Sequence, residues 1–163
     1  MRATMQRLTS ITRITRGEWQ FALALLAVFV FGAIIATVIL MRISPGALIV
    51  RSPGPHDLWM IVSGGIGAGL ALFVCRHRFG RPGLLTAALS MVVITLLAAL
   101  IGGSLAVPLY GTMFGPFLLL ITLVASPLLA VLWAITFCAV HVLVAGWQAE
   151  RDSIFRITPA VST

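Results

Sequence analysis

Carboxylates and lysine are what this chain has least of. Glu18, Asp57, Glu150 and Asp152 are its four acids in 163 residues, there is no lysine, and all 11 cations are arginine. Charged residues make up 9% of the chain, whereas soluble domains carry roughly 25%. So sparse a polar surface argues against a water-soluble globular fold. It also argues against an extended nucleic-acid interface or a disordered chain, both of which need more polar residues. Paired carboxylates, H-E-x-x-H, C-x-x-C and a serine–histidine–acid set are all missing from the apolar stretches, which leaves nothing to carry acid–base or nucleophilic chemistry there.

What the chain does have is hydrocarbon. Hydrophobic residues account for 60% of it, and the mean hydropathy is +1.12. A helix crosses about 30 Å of hydrocarbon with about 20 apolar residues. Four stretches, 19–41, 58–75, 84–107 and 116–147, meet or approach that length without a single Asp, Glu, Lys or Arg. The expected fold class is an all-α integral membrane protein, a four-transmembrane-helix bundle. It is framed by a basic amphipathic segment over 1–18 and a short tail over 148–163. The first stretch is too long for a signal-peptide core and lacks a small-x-small cleavage site behind it, so it reads as a retained anchor.

Arginine placement predicts orientation. Nine arginines precede the first stretch, lie between the second and third, or follow the fourth; Arg42 and Arg51 fall on the other side. Both termini are therefore expected in the cytoplasm, with a bacterial inner membrane as the home. Residues 1–16 are rich in arginine, Ser and Thr and free of acid, which makes a mitochondrial inner membrane the alternative. Trp19 and Trp147 fall at one expected boundary, Trp59 and Tyr110 at the other, as aromatic belts do. Arg13, Arg16, Arg76, Arg78 and Arg81 are the basic residues expected to face lipid headgroups. Met5, Leu8 and Ile11 oppose Arg2, Arg13 and Arg16 on a helical wheel, which suits anionic lipid, an acidic partner face, or orientation alone.

Helix breakers mark the connections. Pro45, Pro53, Pro55, Gly46 and Gly54 make residues 42–57 an irregular turn. Asp57 stands where the second span begins and suits the positive end of a helix dipole. Residues 102–116 are uncharged but rich in Gly and Pro, and read as a surface loop or a re-entrant element. The 32 residues of 116–147 exceed the hydrocarbon thickness at 1.5 Å each, so a kink is expected at Pro127.

Three groups of residues are candidates for function. In the second stretch, Gly65 and Gly69 form a GxxxG pair and Gly64 with Ala68 repeats the small-xxx-small spacing, a pattern that lets helix backbones approach closely. That face is expected to meet another helix of this chain, a partner subunit or a second copy. Cys75 with His77, and Cys138 with His141, place two thiols and two imidazoles within reach of one site if the second and fourth helices pack together; such ligands suit zinc or copper. Both cysteines lie in the expected cytoplasmic half, where a disulfide is not favoured. His141 is the one ionisable side chain inside a stretch, apart from the thiols Cys75 and Cys138. It suits a ring-type cofactor or proton relay, or a neutral imidazole bonded to a neighbouring helix. No particular cofactor is indicated. The expected partners are the lipid bilayer and other membrane-protein subunits or further copies of the chain, and not nucleic acid. By elimination the expected role is a non-catalytic accessory or assembly subunit, not an enzyme. The alternatives are a small transporter or channel and a cofactor carrier centred on His141.

Overall fold

A computed structural model describes residues 15–43, 53–80 and 83–155. Over these residues the chain is helix and turn with no strand. Five helices follow one another: α1 (Arg16–Ile43), α2 (Pro55–Cys75), α3 (Leu84–Ala106), α4 (Tyr110–Val124) and α5 (Pro127–Phe155). Four of them, α1, α2, α3 and α5, are long and apolar enough to cross a membrane.

Local chemistry sets their starts. Thr15 caps α1: its Oγ1 accepts from the Glu18 amide at 3.2 Å, and the Glu18 carboxylate accepts from the Thr15 amide at 3.0 Å. This T-x-x-E capping box satisfies two amides that a helix end otherwise leaves open, and such caps contribute about 1 kcal/mol. Pro55 begins α2, where its missing N–H costs nothing, and Asp57 accepts from the Gly54 amide at 2.9 Å. Residues 148–155 of the tail expected over 148–163 continue α5 as helix.

The helices alternate in direction. Phe21, early in α1, lies against Phe73, late in α2. Trp59, early in α2, donates from Nε1 to the Leu105 carbonyl, late in α3, at 2.9 Å. At the ends of α1, the Gly17 amide donates to the Glu150 carboxylate and Arg42 donates to Ser126 Oγ at 2.6 Å, so α5 runs antiparallel to α1. The start of α1 and the end of α5 therefore share one face of the molecule, the proximal face. The opposite, distal face holds the start of α2, the end of α3 and the start of α5.

Close backbone contact joins neighbours in an arc of α5, α1, α2 and α3. A Cβ built on Gly64 would lie 2.6 Å from the Ala36 methyl, and one on Gly32 would lie 2.7 Å from the Ala68 methyl. On the other side of α2, a Cβ on Gly67 would lie 2.6 Å from Gly102 Cα. The arc does not close in the distal half. Between α3 and α5, Trp133 Nε1 donates to Thr95 Oγ1 at 3.1 Å, while in the distal half α4 packs against α3, α1 and α5.

The stretch over 116–147, expected as one kinked span, is thus two helices. Residues 102–106 belong to α3, and only Val107–Leu109 separate it from α4. α4 leaves the distal end of α3 and runs back along it, with Gly111 against Gly103 and Gly115 against the Ala99 carbonyl. Leu119 then packs with Phe31 and Ile35 of α1 and Leu129 of α5. The helix ends beside Ser126, which is held at the distal end of α1 by Arg42. Both ends of α4 lie on the distal face, and its 15 residues reach roughly 22 Å, short of the bilayer core. α4 is a lid laid across the distal half. Pro127 is where the chain turns from that lid into α5, because a proline opens a helix readily and interrupts one badly.

Candidate functional site: an apolar chamber beneath α4

A cavity of about 370 Å³ lies between the arc and the lid. Its inner end is formed by Val28, Ile94, Thr95, Trp133 and Phe137, and its distal end by Ile43, Met60, Val107 and Tyr110. α1 presents Gly32, Ile35, Ala36 and Ile39 along one wall; α4 presents Gly111, Phe114, Gly115 and Leu118 along the other. The volume sits at the lower end of the range of about 300–1,000 Å³ typical of small-molecule sites. Polar side chains are scarce in the lining: Tyr110 at the distal end and, at the inner end, Thr95 and Trp133, which are already engaged. Thr95 Oγ1 accepts from Trp133 and donates to the Met91 carbonyl at 2.7 Å. A solute leaving water would find few hydrogen-bonding side chains here to replace its hydration, a costly transfer.

The two ends of the molecule differ. At the proximal face, Gln148 Nε2 donates to the carbonyls of Arg76 at 2.6 Å and Phe79 at 2.7 Å, clamping the turn between α2 and α3 onto α5. Phe79, 2% exposed, wedges beneath that clamp against Phe137 and His141. Phe21 stacks on Trp147 at 4.7 Å. The distal lid is tied differently, by Arg42 on Ser126 just past its end and by a contact with α3 at its start. Its polar tie to α3 is the Ser104–Thr112 hydroxyl pair at 2.7 Å, and its outer side leaves Met113, Phe117 and Val124 largely uncovered. The turn that launches it is strained: Leu109 has φ 68 and ψ −63, and the Tyr110 amide donates to the Pro108 carbonyl at 2.9 Å. That is a γ-turn of the rare, unfavourable hand.

The residues singled out from sequence are spread over the molecule. Gly64 and Ala68 meet α1, Gly65 packs against the Phe29 ring, and a Cβ on Gly69 would have nothing within 4 Å. Most of this glycine face therefore folds the chain onto itself, and Gly67, outside both predicted spacings, makes the contact with α3. Cys75 is half-buried at the end of α2, whereas Cys138 is exposed. His77 is exposed beside Arg76, whose Nε donates to its Nε2 at 3.4 Å. Among the described residues no three His, Cys, Asp or Glu side chains group as metal ligands would. His141 stacks edge-on to Phe79 at 5.1 Å between centroids. Its Nδ1 is buried without a hydrogen-bond partner, so the cross-helix bond expected for it is not formed at that atom. Ser63 Oγ, fully buried behind the Gly67–Gly102 contact, is also unpartnered.

Of the basic residues, Arg16 and Arg78 are exposed, Arg76 lies over the Phe73 ring at 4.1 Å and Arg151 over Trp147 at 5.1 Å. All four belong to the proximal face. Arg13 and Arg81, with the amphipathic segment over 1–14, lie outside the described residues. The chamber itself escaped sequence reading, since its lining comes from five helices and spells no motif. Compared with protein-family models, curated proteins and solved structures, the chain finds no match.

Proposed function

We propose that this chain is a multi-pass protein of a bacterial inner membrane, with both ends in the cytoplasm, acting as a non-catalytic accessory or assembly subunit. The observation that carries this reading is the asymmetry between its faces. The proximal face gathers Arg16, Arg76, Arg78 and Arg151 beside the polar clamps of Gln148 and Glu150. Between the faces the surface is hydrocarbon. Leu84, Leu85, Leu89, Val92 and Val93 leave the outer side of α3 exposed, and Met113, Phe117 and Val124 do so on α4. Arginines on one side of an otherwise apolar helical array fit a protein oriented by the positive-inside rule. The apolar lining of the chamber weighs against a transporter for polar solutes.

Extraction in mild detergent followed by mass spectrometry of the intact assembly tests this role. A stoichiometric protein partner is the expected result. A chain that runs alone, or one that carries a coloured group bound to His141, would overturn it.

A further inference from the structure

We propose that the chamber beneath α4 binds one hydrocarbon chain of an anionic phospholipid, with the headgroup phosphate held at the distal rim by Arg42; this rests on the membrane reading above.

Three observations converge on that occupant. The first is shape. Along α1 the lining extends from Val28 to Ile43, roughly 22 Å at the helical rise. Spread over that length, the 370 Å³ open to the centre of a water molecule corresponds to a bore of roughly 7 Å once a water radius is added, narrower than the roughly 10 Å of a helix. A partner helix is therefore too thick for the chamber, whereas a slender flexible chain fits. The second is lining chemistry. Thr95 and Trp133 satisfy one another, and most of the remaining wall is aliphatic, aromatic or glycine. Hydrocarbon gains dispersion contacts there without stranding a polar group.

The third is charge at the rim. Arg42 precedes Ile43, which closes the distal end of the lining. One of its amino groups donates to Ser126, leaving further N–H donors of the guanidinium available. Among the described residues, the distal face carries one carboxylate, Asp57, and this is engaged with the Gly54 amide. A phosphate would give Arg42 the charge-assisted partner it lacks. The lid, joined to α3 by one hydroxyl pair and launched by the strained turn at Leu109, is the part that would move aside for a chain to enter from the bilayer.

The full chain, reconstituted in phosphatidylcholine vesicles, tests the assignment through Trp133, which lines the inner end. Its emission is isolated as the difference between wild type and Trp133→Phe. Phosphatidylglycerol with brominated chains should quench that emission more strongly than brominated phosphatidylcholine at equal content. Arg42→Gln should weaken the apparent affinity for brominated phosphatidylglycerol by about tenfold, and Ala106→Phe, which narrows the distal end, should abolish the preference. Leu118→Phe narrows the wall from α4 and serves if Ala106→Phe does not fold, as judged by circular dichroism. Equal quenching by both lipids, unmoved by Arg42→Gln, would mean that Trp133 sees only bulk lipid and would overturn the proposal. Quenching of Trp19 and Trp59 but not Trp133 would show a chamber closed to lipid and would also overturn it. A chain that did not insert would leave every tryptophan unquenched, which separates failure of the membrane reading from failure of the chamber.

Discussion

Gly103 of α3 and Gly111 of α4 meet backbone to backbone: a Cβ on either would collide with the carbonyl oxygen of the other. This contact sets how closely the lid lies on the arc, and so the width of the chamber. Gly69 of α2 is its counterpoint, with open space where a side chain would go. Gly103→Leu should lower thermal stability by about 1–3 kcal/mol, the usual cost of overpacking, whereas Gly69→Leu should leave it within about 0.5 kcal/mol, as surface changes do. Thermal unfolding of the two purified variants checks the pair. Equal losses would contradict the lid geometry.

Leu109 makes a second test of the same element. A left-handed backbone costs an L-residue roughly 1–2 kcal/mol, and glycine escapes that cost. Leu109 is also 80% exposed, so little packing is lost with its side chain. Leu109→Gly should therefore be more stable than Leu109→Ala by about 1 kcal/mol, the reverse of their order in a helix interior. Denaturation midpoints of the two variants decide it. A less stable Gly variant would show that the turn does not hold this conformation.

The uneven legibility of this fold has a physical cause. Hydropathy marks apolar length, and α1, α2 and α3 lie where their apolar runs do because breakers or arginines flank each one. Residues 116–147 are apolar throughout, and a lid that lies across a bundle has the same composition as a helix that crosses it. Only Pro127 recorded the change. Spacing showed that Gly64 and Ala68 permit close approach, but it cannot name the partner, which proves to be Gly32 and Ala36 of the same chain. Gly111-x-x-x-Gly115 has the same small-residue spacing, hidden inside a segment dense enough in Gly and Pro to resemble a loop. The Thr15–Glu18 capping box was also readable as T-x-x-E, but it falls in a stretch whose arginines draw attention to charge. A chamber assembled from five helices leaves no local trace.

His141 offers a third test. Its Nδ1 is buried without a partner and its ring packs edge-on to Phe79, so the ring's contact with Phe79 is the interaction to preserve. Replacing an unpaired buried polar group with an apolar one of similar shape is close to neutral or stabilising. His141→Phe should hold stability within about 1 kcal/mol, and His141→Gln should leave the absorption spectrum of the purified protein unchanged. A visible band in the wild type that His141→Gln removes would instead assign the ring a cofactor.

The path of α4 yields the most direct test of the topology. If the stretch over 116–147 formed one crossing helix, residue 125 would be buried at mid-membrane. In the structure, Tyr110 and Ala125 flank a lid whose two ends share the distal face, and Arg42 reaches the latter end through Ser126. With Cys75 and Cys138 replaced by serine, single cysteines at Pro53, Arg78, Tyr110 and Ala125 report sidedness. A thiol reagent that cannot cross the membrane should label Pro53→Cys, Tyr110→Cys and Ala125→Cys from one side and Arg78→Cys from the other. Labelling at Pro53 and Arg78 from the same side would remove the helix between them as a span. Protection of Ala125→Cys from both sides, with Tyr110→Cys labelled, would restore the single long helix and close the chamber. Labelling of Ala125→Cys from the side of Arg78 would make α4 itself a crossing and place the end of α5 opposite the start of α1, a result that the Gly17–Glu150 contact forbids.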